Sequence, residues 1–262
     1  MGRAAYDEKT YLDSNGRKYF YRFWKAKGTR AALVVFHALG LHSGRYAWLC
    51  EELASRGVSC FAPDLHGHGL SEGERGGGSL GKLLASARTF VQLVRSKCDS
   101  CDLYLAGHGA GALVALAAST PPLRRVFALS PVAEIAHYWR SLPRLKLLAA
   151  LRMRVDLDPH PLYDVKHRDA LLEAEEDNLV VRKIPAKLIA ETLHTLRANQ
   201  RFDANLVILA ENKSRNSEYY SAFKRSSGIV EAEMFYDPDL QDFPIENLVE
   251  KLIERSRGTS EP

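Results

Sequence analysis

The sequence has no apolar run near the roughly 20 residues that a membrane-spanning helix needs, and its opening stretch MGRAAYDEKT carries no apolar core. Neither a spanning helix nor a secretory leader is expected. Tyr6 stands where a myristoylation signal needs Ser or Thr, so that anchor is not expected either. Charge of one sign is scarce: the formal net charge is +4 over 262 residues. No basic stripe with interleaved aromatics is present, and nucleic acid is not expected as a partner. Cysteine is sparse, with four in the chain. Cys98 and Cys101 form a C-x-x-C, but no second such pair and no H-x-x-x-H follows to complete a metal cage. The pair is expected in a polar loop, reduced, in a cytoplasmic protein, and no metal or other cofactor is expected. Internal repeats and low-complexity segments are absent.

What is there is the composition of a soluble globular chain, 46% hydrophobic and 26% charged, long enough to bury a full core. TYLDSNGRKYFYRFW alternates around Ser14-Asn15-Gly16 and predicts a β-hairpin. AALVVFHALG (31–40) and VSCFAPDL (58–65) are continuous apolar runs, as expected of strands covered on both faces. Helical spacing marks 45–56, and Leu80, Leu83, Leu84, Ala87, Phe90, Val91 and Val94 mark 80–97. Further strands are predicted at 102–106, 125–131, 205–210 and 232–237, with helices at 110–119 and 245–256. Strands alternating with helices predict an α/β fold with a mostly parallel sheet.

Residues 135–200 break this rhythm. They show helical stretches interrupted by Pro143, Pro159, Pro161 and Pro185 and no convincing strand. An insertion of that length fits a helical cap better than a structureless loop. The expected organisation is an N-terminal core part (1–134), a cap (135–202), a C-terminal core part (203–257) and a tail (258–262).

Residues 103–116 read LYLAGHGAGALVAL. An apolar strand, a glycine-rich turn and a small-residue helix have the form of a nucleophile elbow, G-x-S-x-G, the sharp turn that lifts a nucleophilic serine above the sheet. Here Gly109 stands at the serine position.

The segment FHALGLHSGRYAWLCEELASRGVSCFAPDLHGHGLSEGERGG, followed by the elbow, LSP after the next strand and LPRL…DNLV in the cap, resembles monoacylglycerol lipases and lysophospholipases. These are serine-aminopeptidase-like (S33) members of the α/β-hydrolase superfamily. The likeness covers about residues 10–255 and implies an eight-stranded sheet with a helical cap over an apolar acyl-chain pocket. It also implies a Ser–His–acid triad and two backbone N–H groups aimed at an oxyanion. Carried over by position, the nucleophile falls on Gly109, the acid on Ser214 and the base on Gln241. Glu211 lies near the acid position, although a solvent-facing role suits it better. No histidine follows His194, so no shift of register restores a base, and a glutamine amide does not titrate usefully. The oxyanion donors fall on the backbone of Leu39 and Ala110, where a carboxylate or carbonyl oxygen is expected to be held. All three triad positions are substituted.

Other chemistry-bearing residues have plainer explanations. His37, His42, His68 and His108 stand where the resembled family has hydrogen-bonding histidines, and His66 replaces its usual arginine. A structural role for all five outweighs a metal site. Ser43, Ser71, Asp64 and Glu72 sit in turn strings and form no replacement triad. Cys60 reads as a small core residue. LPRLKLLAALRMRV (142–155) mixes leucines with Arg144, Lys146, Arg152 and Arg154; it is either an ordinary cap helix or one resting on anionic lipid.

Three functions remain open from the sequence. The first is a catalytically degenerate, monoacylglycerol-lipase-like protein that binds a lipid or acyl ligand or a protein partner, peripheral to membranes through the cap. The second is an atypical ester hydrolase using another nucleophile or water, for example at Glu211. The third is a scaffold with a collapsed pocket.

Overall fold

The computed structural model describes residues 6–28, 31–98, 101–120, 123, 125–157, 176–198, 200–211, 216–226 and 229–236. An eight-stranded sheet runs in the order β1-β2-β4-β3-β5-β6-β9-β10. Its strands are β1 (Tyr6–Leu12), β2 (Lys18–Trp24), β3 (Ala31–Phe36), β4 (Val58–Pro63), β5 (Asp102–His108), β6 (Arg125–Leu129), β9 (Asn205–Glu211) and β10 (Ile229–Tyr236). β1, β2 and β4 pair antiparallel, as the predicted hairpin requires. From β4 to β10 all pairs are parallel.

The continuous apolar runs are explained by burial on both faces. In β3, Ala32, Val34 and Phe36 join the larger core with α2 (Leu80–Lys97) and α3 (Gly111–Ala118). The alternate residues Ala31, Leu33 and Val35 pack with Leu49, Cys50 and Leu53 of α1 (Ala47–Ser55) on the other side. Such two-sided burial is what a parallel sheet demands of its strands.

Between β6 and β9 lie a 3₁₀ segment (Ala133–Ser141), α4 (Leu142–Ala150), β7 (Arg154–Asp156), β8 (Lys183–Pro185) and α5 (Ala186–Arg197). β7 and β8 pair antiparallel. This corrects the expectation of a strandless insertion: strands of three residues are too short to show an alternation. A further helix among the described residues, α6 (Glu218–Arg225), is unpredicted; the helix expected at 245–256 lies outside the described residues.

The inserted segment is fastened to the core by polar contacts. His42 Nε2 lies 2.7 Å from Asp177 Oδ2. Val181 N–H donates to Gly40 O at 2.7 Å, and Arg75 donates to the carbonyls of Asn178 and Leu179. Burial alone would raise the Asp177 carboxyl, but the His42 bond and the Leu179 N–H hold it below the ordinary value. From α5, Glu191 Oε2 accepts from Leu80 N at 2.8 Å and so caps the start of α2 in place of a local side chain.

Cys98 and Cys101 are joined as a disulfide between α2 and β5, with Cα atoms 5.4 Å apart. The expectation of a reduced pair is corrected: spacing excluded a metal cage but carried no information on how close the two sulfurs lie. Cys50 and Cys60 are buried without a disulfide.

Candidate functional site at the elbow

The turn from β5 into α3 is built on close backbone approach. A β-carbon at Gly111 would stand 2.5 Å from His37 O and 2.6 Å from Phe36 O, so only glycine lets α3 sit this close to the end of β3. Gly109 occupies the left-handed region at φ +56, a conformation that glycine adopts at little cost. It carries no side chain, and the space beside it is filled from another loop.

That loop leaves β6 as Ser130-Pro131-Val132 and enters the 3₁₀ segment at Ala133. Ser130 and Val132 both have positive φ, 40 and 54. For a β-branched residue such as Val132 this is strained, and such strain persists only where the surroundings over-determine it. Its effect is to turn Glu134 inward. The Glu134 side chain is fully buried (0% exposed). Its Oε1 accepts from Ala110 N at 2.7 Å and from Leu39 N at 3.1 Å. Its Oε2 is buried and has no hydrogen-bond partner among the described residues. Burial pushes the carboxyl up to about 7, against the pull of the Ala110, Leu39 and Glu134 N–H groups on the charged form.

A second element keeps the two donor segments in register. Ala38 N–H donates to Tyr46 Oη at 3.0 Å, and Tyr46 Oη lies 2.9 Å from His108 Nδ1. The Tyr46 hydroxyl accepts from Ala38 and shares a second hydrogen bond with the His108 ring. One side chain thus ties the residue before Leu39 to the residue before Gly109. Burial lowers His108 to about 4, which keeps the ring neutral.

The other histidines form local bonds. His37 Nε2 accepts from Leu65 N at 2.9 Å, so its Nδ1 donates to Ala38 O at 2.8 Å; burial lowers it to about 4. His66 Nδ1 pairs with Tyr19 Oη and His68 Nδ1 with His66 O, each leaving Nε2 without a partner among the described residues. Burial lowers both rings. Among the described residues no three His, Cys, Asp or Glu side chains are grouped to hold a metal ion.

Asp64 accepts from Ser43 N and Leu70 N, and its carbonyl accepts from Ser71 Oγ. Glu72 accepts from Lys18 N and Ser43 Oγ from Arg22. These four residues bind turns together. Ser214 and Gln241 lie outside the described residues, as does the side chain of Glu211. The structure thus brings together Leu39, Gly109 and Ala110, and adds Glu134, which the sequence did not single out. The one available signal was an acid in the otherwise apolar string SPVAEIA, directly after a strand beside the elbow.

A glycine-rich strand–turn–helix on a mostly parallel eight-stranded sheet defines an α/β hydrolase fold. The family model described as serine aminopeptidase, S33 matches residues 27–208, well over half of the chain, and the chain belongs to that family. It is 36% identical to human monoglyceride lipase over 113 residues (40% of this chain and 35% of the relative). It is 34% identical to a Monkeypox virus monoglyceride lipase homolog over 141 residues (52% and 50%). These matches span about a third to a half of the relatives' length. A soluble variant of monoglyceride lipase from Saccharomyces cerevisiae, solved with a substrate analog, superposes with TM-score 0.77 at 17% identity, covering 98% of this chain and 96% of that one. The monoacylglycerol lipase of Paleococcus ferrophilus gives TM-score 0.72 at 22% identity, covering 90% and 98%. At these identities the structural likenesses concern the fold. No described helix is long and apolar enough to cross a membrane.

Proposed function

We propose that the chain is a catalytically silent, monoglyceride-lipase-like member of its family, retained to bind a lipid or acyl ligand or a protein partner. The observation that carries this is the filling of the elbow: Gly109 offers no nucleophile, and the Glu134 carboxylate takes both N–H groups that an ester oxygen would need. The substitutions at Ser214 and Gln241 support the same view, since an acid and a base are missing as well. While Glu134 is in place, the carboxyl of an acyl ligand is not expected at Leu39 and Ala110. The test is incubation of purified protein with a fluorophosphonate probe and with monoacylglycerol. No labelling and no turnover above buffer are expected; turnover by clean protein overturns the proposal.

The α4 stretch supports a location peripheral to membranes. α4 buries Leu142 and Leu145, whereas Leu147 and Leu151 are each 61% exposed and Met153, just beyond the helix, is 48% exposed. Arg144, Lys146 and Arg152 are exposed in the same stretch. Apolar side chains interleaved with cations suit an anionic lipid surface. Co-sedimentation with phosphatidylserine-containing vesicles is expected, reduced in a Leu147→Ser/Leu151→Ser variant. Equal sedimentation of both proteins removes the lipid role from α4.

A further inference from the structure

We infer that the elbow cradle is a carboxylate-binding site whose occupant is the protein's own Glu134, and that truncating this side chain turns it into a site for an external carboxylate of acetate size. Four observations converge. Two backbone N–H groups from separate loops, those of Leu39 and Ala110, meet on a single oxygen. One of them belongs to Ala110, the residue that precedes α3, where the unpaired N–H groups and the helix dipole favour negative charge. No arginine, lysine or histidine pairs with Glu134 among the described residues; the carboxyl group is held by backbone N–H donors and not by an ion pair. The loop that delivers it is strained on both sides of Pro131, at Ser130 and Val132.

The remaining oxygen, Oε2, is buried without a partner among the described residues and points into the space beside Gly109. A side chain chosen only to pack this corner would carry no such orphan, because a buried unpaired oxygen costs free energy. Its presence is explained if the two-donor cradle needs a carboxyl oxygen and Glu134 supplies it from within. Replacing glutamate by alanine deletes Cγ and the carboxyl group, a fragment with the atoms of acetate. The cradle, the helix terminus and a void of matching shape are then left behind. This inference stands on the contacts of Glu134 alone and does not depend on whether the chain hydrolyses esters.

The test uses the full chain as wild type, Glu134→Ala and Glu134→Gln. Thermal unfolding is followed against millimolar sodium acetate, with sodium chloride at matched ionic strength and acetamide as controls. Glu134→Ala is expected to have a lower Tm than wild type and to regain several degrees, saturably, in acetate but not in chloride or acetamide. Wild type and Glu134→Gln, whose cradles are filled, are expected to be indifferent to acetate. In amide NMR spectra, the Leu39 and Ala110 N–H signals of Glu134→Ala should titrate with acetate. If Glu134→Ala is insoluble, recovery on refolding is compared in acetate and chloride, and a gain in acetate alone supports the site. Equal effects of acetate and chloride in whichever format applies overturn the inference.

Discussion

Gly109 and Glu134 share one space: a β-carbon on Gly109 would stand 2.6 Å from Oε1 and 2.7 Å from Cδ of the Glu134 side chain. The missing side chain at one position and the buried carboxylate at the other are two halves of one packing solution.

Placing serine at the elbow is therefore expected to be costly. Gly109→Ser forces a buried overlap and a strained left-handed serine, at a cost of about 2–4 kcal/mol, and under the proposed function it is expected to remain unlabelled by fluorophosphonates. Glu134→Ala in the Gly109→Ser background should recover part of that loss, so the two changes are non-additive. Denaturant unfolding of the four proteins measures the coupling. Additive losses would show that the overlap is relieved by movement elsewhere.

Stability should also report the protonation of Glu134. Its carboxyl lies at about 7 in the fold against an ordinary 4.5, so the fold favours the protonated form. That contribution is full below about pH 4.5 and is lost as pH rises through 7. The groups around it are backbone N–H donors, and no charged side chain contributes to the shift. Relative to Glu134→Gln, the wild type is expected to lose on the order of 2–3 kcal/mol between pH 4.5 and 8. His37 and His108, lowered to about 4, act in the opposite sense. Their contribution is present above about pH 6.5 and lost as pH falls through 4, in both proteins alike, so the difference isolates Glu134. A pH-independent difference would show that the carboxyl keeps its ordinary titration.

Tyr46→Phe removes the hydroxyl that joins Ala38 N to His108 Nδ1. Two buried polar groups lose their partner without any change of core volume, and a loss of about 1–3 kcal/mol is expected. In the same variant, hydrogen exchange should quicken at Leu39 and Ala110, the donors that Tyr46 holds in register. A stability change without faster exchange there would confine Tyr46 to general packing.

The His42–Asp177 contact, together with the Arg75 and Gly40 bonds, fixes the segment just before β8 to the core. Asp177→Asn is expected to raise hydrogen exchange and proteolytic nicking around 176–182 while moving the global transition by less than about 1 kcal/mol, as befits a partly exposed pair. An unchanged exchange pattern would assign the fastening to the backbone bonds alone.

Much of the fold was legible because the parallel strands are sandwiched: 31–36, 58–63 and 205–210 read as unbroken apolar runs, and α2 as an uninterrupted 3.6-residue period. β7 and β8 escaped because three residues carry no period, and α6 because a short, largely polar helix bounded by polar residues resembles a loop. At the site, Gly109 stood out as a gap in a motif, and Leu39 and Ala110 followed from resemblance. Glu134 did not, since a glutamate is ordinarily exposed. Its burial is decided by the meeting of three loops, around residues 39, 110 and 132, that are far apart in sequence and exert no local signature on it.

The strained turn through Ser130 and Val132 also limits what position 109 can carry. With the carboxyl group of Glu134 wedged beside the elbow, any side chain placed at 109 meets an occupied corner. A side chain at 109 is accommodated only once Glu134 is shortened or its loop redirected, so the two positions act as a single steric lock on the elbow.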